Sequence, residues 1–223
     1  MKNFSEELLS QYYANDRKSV FPLNNLQLEM KNQIQQKMDE GKYQYEYVNC
    51  PICDTYPEGS SRTLSQKERN GHNQKIVLCK NCGLIQNFPR MTQSSYNEYY
   101  EKEFIKDQTG MNDEEYLMNV ETLEYYEKRG KRIMNYVFEN TNFDTKNISV
   151  LEVGCSAGSV LKPFKDLGCR VKGIDLAEDF ILFGKNKYGL DLEVGTLSST
   201  VLNEKPHIII YSHVLEHILD MKK

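Results

Sequence analysis

The sequence predicts an α/β fold. A parallel sheet of about four strands fills the C-terminal third, behind a small four-cysteine module and a helical N-terminal segment. Three observations carry this. From Ile148 onward, short apolar runs alternate with helix-like segments, the order that builds a parallel sheet with right-handed crossovers. The first run, 148–153, passes straight into the small-residue turn Gly154-Cys155-Ser156-Ala157-Gly158, and a helix follows. Two Cys-x-x-Cys pairs stand upstream, Cys50/Cys53 and Cys79/Cys82.

Composition bounds the function. A chain of 223 residues holds one large domain, or one domain and a smaller one. Apolar residues make up only 39% of it, so part of the chain is expected to be loosely packed or exposed. A net charge of -4 argues against a general nucleic-acid or membrane binder. No stretch reaches the roughly 18 apolar residues of a membrane span, and the N-terminus lacks an apolar signal core, so the expected location is cytoplasmic. The six cysteines are then metal ligands or free thiols rather than disulfides.

Four segments are expected. Residues 1–45 read as helical, because Leu23, Leu26, Met30, Ile34 and Met38 recur at spacings of three or four and Gly41 offers a stop. Residues 46–111 hold the cysteine module and an aromatic exit. Two short strand-like runs, 43–49 and 75–78, each deliver a Cys-x-x-Cys turn, with 25 residues between the pairs. Each turn lets two thiolates reach one metal, and two turns complete a tetrahedral site, so Cys50, Cys53, Cys79 and Cys82 are the expected ligands of a structural Zn2+ in a zinc ribbon. A redox pair or a rubredoxin-like iron site are the weaker alternatives. His72 reads as a loop residue rather than a fifth ligand.

Residues 112–146 read as a connecting helix, with Asp113, Glu114 and Glu115 favouring its start and Gly130 interrupting it. Residues 147–223 are the sheet domain. Strands are expected at 148–153, 170–175, 190–194 and 207–211, with helices near 157–167 and 177–188 and another opening after Ser212. An ending soon after the fourth strand leaves the apolar run Ile208-Ile209-Ile210 at a sheet edge. The sequence therefore reads as the front part of a longer protein that completes the sheet.

The turn after the first strand rejects a dinucleotide. That fingerprint, G-x-G-x-x-G, needs glycine where Ser156 and Ser159 stand. The order present is Glu152, Gly154, Ser156, Gly158, with Asp175 closing the second strand and Val214-Leu215-Glu216-His217 after the fourth. Together these resemble the S-adenosylmethionine site of the class I methyltransferases, whose fold is Rossmann-like. The resemblance implies cofactor contacts from Glu152, Gly154, Cys155, Ser156, Gly158, Asp175, Leu176, Thr196 and Ser212. Asp175 suits the two ribose hydroxyls, since a carboxylate accepts several hydrogen bonds. Thr196 and Leu197 would lie near the adenine, and 211–213 near the sulfonium. Ser156 departs from the usual middle glycine of the pattern.

The order of zinc ribbon, Asn87-Phe88-Pro89-Arg90 exit, tyrosine-rich segment and cofactor domain resembles bacterial zinc-ribbon methyltransferases, including sugar C-methyltransferases. This implies a small-molecule methyl acceptor such as a nucleotide-linked sugar. His217 and then His213 are the acid/base candidates, because imidazole titrates near neutrality. Six basic residues between Ser60 and Arg90 (Arg62, Lys67, Arg69, Lys75, Lys80, Arg90) leave an RNA acceptor open. A third reading is a shortened module that binds zinc or cofactor without turnover.

Overall fold

The computed structural model describes residues 11–219, and these divide into two compact units. One runs up to Met111 and includes Leu219; the other is Asn112–Ile218. No helix among the described residues is long and apolar enough to cross a membrane.

In the first unit the helix expected over 1–45 is much shorter. Residues 1–10 lie outside the described residues, a 3-10 turn spans Gln11–Tyr13, and α1 is Asn25–Asp39. Pro22 disfavours helix at the residue before it. Asn24 then caps α1 reciprocally with Gln27: the Gln27 N–H donates to Asn24 Oδ1 at 2.9 Å, and the Asn24 N–H donates to Gln27 Oε1 at 3.1 Å. Met30 and Ile34 on α1 bury against Tyr43. Strand β1 (Tyr45–Glu46) follows, then β2 (Ser61–Lys67), β3 (Asn73–Cys79), β4 (Ile85–Asn87) and β5 (Arg90–Met91). β2, β3 and β4 form an antiparallel sheet in that order, and β1 pairs with β5. β2 falls in a stretch that reads as loop. Its residues are polar except for Leu64, and only Ser65 and Lys67 are buried. Helices α2 (Gln93–Lys102) and α3 (Phe104–Thr109) complete the unit.

In the second unit the connecting segment is two helices, α4 (Asp113–Met118) and α5 (Val120–Glu139). The break falls at Asn119, whose side chain caps α5 by accepting the Thr122 N–H at 2.9 Å. Gly130, the expected interruption, is instead buried inside α5. A Cβ there would stand 2.4 Å from the Val160 carbonyl oxygen, so glycine lets α5 lie directly on that backbone.

The sheet follows as β6 (Ser149–Val153), α6 (Lys162–Asp166), β7 (Arg170–Asp175), α7 (Glu178–Tyr188), β8 (Asp191–Val194) and β9 (Ile208–Tyr211). All pairs are parallel, in the order β8-β7-β6-β9. β6 is buried along its whole length. Its register puts Val153 beside Ile174 and Tyr211, and Asp175 beside Val194, so the C-terminal strand ends line up. The order reverses between β6 and β9, and α/β sheets bind ligands outside the strand ends at such a point. Among the described residues β8 and β9 are the two edge strands, and Ile209 on β9 is 48% exposed.

Two expected helices shrink for the same reason. Residues 157–161 are not helical, because Ser156 and Gly158 adopt positive φ (50° and 74°). After β9, His213 at φ 59° breaks the chain's path, and among the described residues only a 3-10 turn, Leu215–His217, follows.

Gly130→Ala separates packing from propensity. Alanine is the better helix former by about 1 kcal/mol, yet the close approach of Val160 predicts a net loss of about 1–3 kcal/mol. Urea unfolding of the two proteins checks the sign.

Candidate functional site

The turn after β6 is built by backbone geometry. Gly154 has φ 69° and Gly158 φ 74°. The space their missing side chains leave is filled by the protein itself. A Cβ on Gly154 would meet a Val214 methyl at 2.4 Å, and one on Gly158 would meet Leu190 at 2.6 Å. The sequence pattern suggests backbone N–H groups held out to a ligand. Here several are already committed: Gly154 and Cys155 donate to the Ile174 carbonyl at 2.8 and 3.1 Å, and Ser156 donates to Asp175 Oδ2 at 2.7 Å. Gly154 and Ser156 remain partly exposed. Ser156 holds a left-handed conformation that costs a non-glycine residue roughly 1–2 kcal/mol, and its N–H bond to Asp175 helps to hold it there. Cys155 turns its side chain inward over Gly173, so only its backbone faces the turn.

Two carboxyl groups stand at the strand ends. Glu152 is 2% exposed, and its Oε2 has no hydrogen-bond partner. Burial pushes its carboxyl well above the ordinary range; Asp175 adds to the rise and Arg129 on α5 opposes it. Asp175 accepts the Ser156 N–H and, through Oδ1 at 3.0 Å, the Ala177 N–H. Burial raises its carboxyl too, against those backbone bonds. Each oxygen keeps a second lone pair. An acidic pair with an orphaned buried oxygen suits a ligand that brings positive charge or donors.

The other sequence candidates lie around this point. Leu176 follows Asp175 and is half-buried. The Gly195 N–H donates to the Asp175 carbonyl at 2.8 Å, which places the next residue, Thr196, by the end of β7. Thr196 is partly taken up locally: its N–H donates to Ser199 Oγ at 2.8 Å, and its hydroxyl contacts Ser198 and Ser199. Ser212 is half-buried directly after β9. His213 is exposed, with Nδ1 3.4 Å from Glu216 Oε1. His217 is half-buried, and burial holds its imidazole below the usual value.

Sequence reading missed one face of this unit. Tyr125, Arg129, Arg132, Ile133 and Tyr136 of α5 line an open groove of about 460 Å³ together with His213. The signal was present as spacing: the tyrosines stand four residues before Arg129 and four after Arg132, on one helical face.

In the first unit Cys50, Cys53, Cys79 and Cys82 come together, all four sulfur atoms within 4.8 Å of one another. Cys50 and Cys82 are 3.5 Å apart and Cys53 and Cys79 3.6 Å. Four thiolates at about 2.3 Å from a tetrahedral metal stand about 3.8 Å apart, so the set fits zinc. The two turns are built alike. Asp54 and Gly83, each after the second cysteine of its pair, have φ 59° and 79°. Each donates its N–H to the carbonyl of the first cysteine, at 2.9 Å in both. Hydrogen bonds from the side chains of Thr55 and Asn81 pull the Cys53 thiol down to about 5. His72 lies in the loop between β2 and β3 and is not among the clustered ligands, as expected. It is buried, with Nε2 3.0 Å from Asp107 Oδ1. Three of the six basic residues are engaged internally: Lys67 with Asp16 at 2.8 Å, Arg90 with Glu46 at 2.7 Å, and Arg69 with Gln108.

Residues 123–223 match the family described as "Methyltransferase domain". The ubiquinone biosynthesis O-methyltransferase of Pelagibacter ubique is 28% identical over 94 residues, which cover 40% of this chain and 39% of that protein. The chain thus spans about two fifths of the length of that curated relative. Among solved structures, the magnesium protoporphyrin IX methyltransferase of Synechocystis PCC 6803 with bound SAM aligns with a TM-score of 0.41 and 17% identity, over 56% of this chain and 64% of that one. DesVI of Streptomyces venezuelae aligns with a TM-score of 0.33 and 22% identity, over 39% and 36%.

Glu152 gives this site a pH signature. A folded-state pKa above the unfolded value stabilises the fold fully below the ordinary carboxylate pKa, and that contribution is lost as pH rises through the folded value. The melting temperature of the unliganded protein should therefore fall more steeply with rising pH in the wild type than in Glu152→Gln. Parallel curves for the two proteins would contradict this assignment.

Proposed function

We propose that this chain carries the cofactor site of an S-adenosylmethionine-dependent methyltransferase acting on a small molecule, with a structural zinc in its first unit. The observation that carries the reading is the Glu152/Asp175 acid pair at the point where strand order reverses, inside the segment that matches the methyltransferase family.

Bound there, S-adenosylmethionine supplies an electrophilic methyl group on a sulfonium sulfur. The chain's own residues position and exclude. Asp175 offers its remaining lone pairs to the ribose hydroxyls while its backbone bonds hold the carboxylate still. Glu152 lies buried beside it, so a cationic ligand finds a carboxyl that ionises more readily once positive charge is near. Thr196 stands by the end of β7, on the adenine side of the expected pose. Val214, packed on Gly154, closes the turn from the β9 side. Methyl transfer needs an acceptor atom in line with the breaking bond and, for a hydroxyl or carbon acceptor, a base. His213 is the better-placed base, since it lines the open groove; His217 lies behind it in the following turn. A nucleotide-linked sugar is the acceptor class that the domain order favours. The internal pairing of Lys67, Arg69 and Arg90 speaks against an RNA track over the first unit.

Equilibrium titration tests the cofactor. The folded protein should bind S-adenosylmethionine at one site, and Asp175→Ala should weaken it at least tenfold; absence of binding to folded wild-type protein would sink the reading. Metal analysis tests the other unit. One zinc per chain is expected, with loss of metal and a lower melting temperature in Cys79→Ser; a ratio well below one would rule out the zinc assignment.

A further inference from the structure

The groove on α5 carries a charge and ring pattern of its own. Tyr125 and Tyr136 on its rim are 53% and 70% exposed. Between them Arg129 and Arg132 stand three residues apart, so two like charges share one helical face at a cost of a few tenths of a kcal/mol. Neither has an ion pair among the described residues. Lys128, on the neighbouring face, instead reaches Glu124 at 3.0 Å. Arg129 is half-buried and acts on the charge of Glu152, whereas Arg132 is exposed. The groove floor is Ile133, whose side chain also packs on the core of the sheet unit, and one wall is His213.

Planar guanidinium groups take carboxylates and phosphates through paired hydrogen bonds. Exposed tyrosines offer flat faces at small entropic cost. We propose that this groove binds the methyl acceptor, and that the acceptor carries an oxyanion for Arg132 and a ring for Tyr125 and Tyr136. His213 then borders the same groove at the end where β9 meets the cofactor turn. The groove measures about 460 Å³, within the range of small-molecule sites. This inference rests on the proposed cofactor site only for what the bound acceptor faces; the anion and ring subsites stand on α5 itself.

The test uses the whole chain and three probes: phenyl phosphate, benzoate, and the neutral phenyl glucoside. Each is titrated with and without saturating S-adenosylhomocysteine. The two anionic probes should bind at least tenfold more tightly than the neutral one. Arg132→Gln should abolish that preference while leaving S-adenosylhomocysteine affinity unchanged, and Tyr136→Ala should weaken all three probes. Tighter binding of phenyl phosphate supports a phosphorylated acceptor, and tighter binding of benzoate a carboxylate one. Equal binding of the neutral probe, or an unchanged preference in folded Arg132→Gln, would overturn the proposal. Failure of S-adenosylhomocysteine to bind while phenyl phosphate binds would remove the cofactor reading and leave the groove.

Discussion

A carboxyl group with almost no exposed surface, Glu152, sits at the end of a strand buried on both sides, and one of its oxygens has no partner. A buried polar atom without a hydrogen bond costs roughly 1–3 kcal/mol, and a fold keeps such a cost only where something else uses it. Asp175 lies close enough to raise the carboxyl further, while Arg129 is the cation that opposes the rise. Asp175 is itself held by N–H groups of the turn and of the start of α7. The site is an acidic pair in which one carboxyl is held by backbone N–H groups and the other is buried and unsatisfied.

Much of the surrounding geometry serves to bring that pair to the strand ends. Parallel register aligns Val153, Asp175, Val194 and Tyr211. Gly173 makes room for Cys155, and Gly130 lets α5 lie on the Val160 backbone, which brings Arg129 toward Glu152. Ser156 takes a strained conformation, and its N–H reaches Asp175. The groove of α5 and His213 opens on the same unit.

The sheet was legible because buried parallel strands read as apolar runs, and Asp175 because it ends one of them. The clustering of the four cysteines was legible because two Cys-x-x-Cys pairs are the spacing that a four-thiolate site needs. β2 was not, since its polar residues show little alternation and only two are buried. The short α6 was not, since positive φ at Ser156 cannot be read from a serine. The loop position of His72 was legible, but its burial was not, because its partner Asp107 is 35 positions away. The resemblance implies cofactor contacts from Gly154 and Gly158; in the structure Val214 and Leu190 fill the space above them, which only tertiary packing reveals. The α5 groove was overlooked because its residues carry meaning only once one helical face is known to be unpaired.

The central claim is that burial raises the Glu152 carboxyl and that a cationic cofactor arriving beside it lowers it again. Calorimetric titration with S-adenosylmethionine, in buffers of different ionisation enthalpy near neutral pH, counts the protons exchanged on binding. The account predicts net proton release by the wild type and none by Glu152→Gln. Tight binding with no dependence on buffer in the wild type would contradict it.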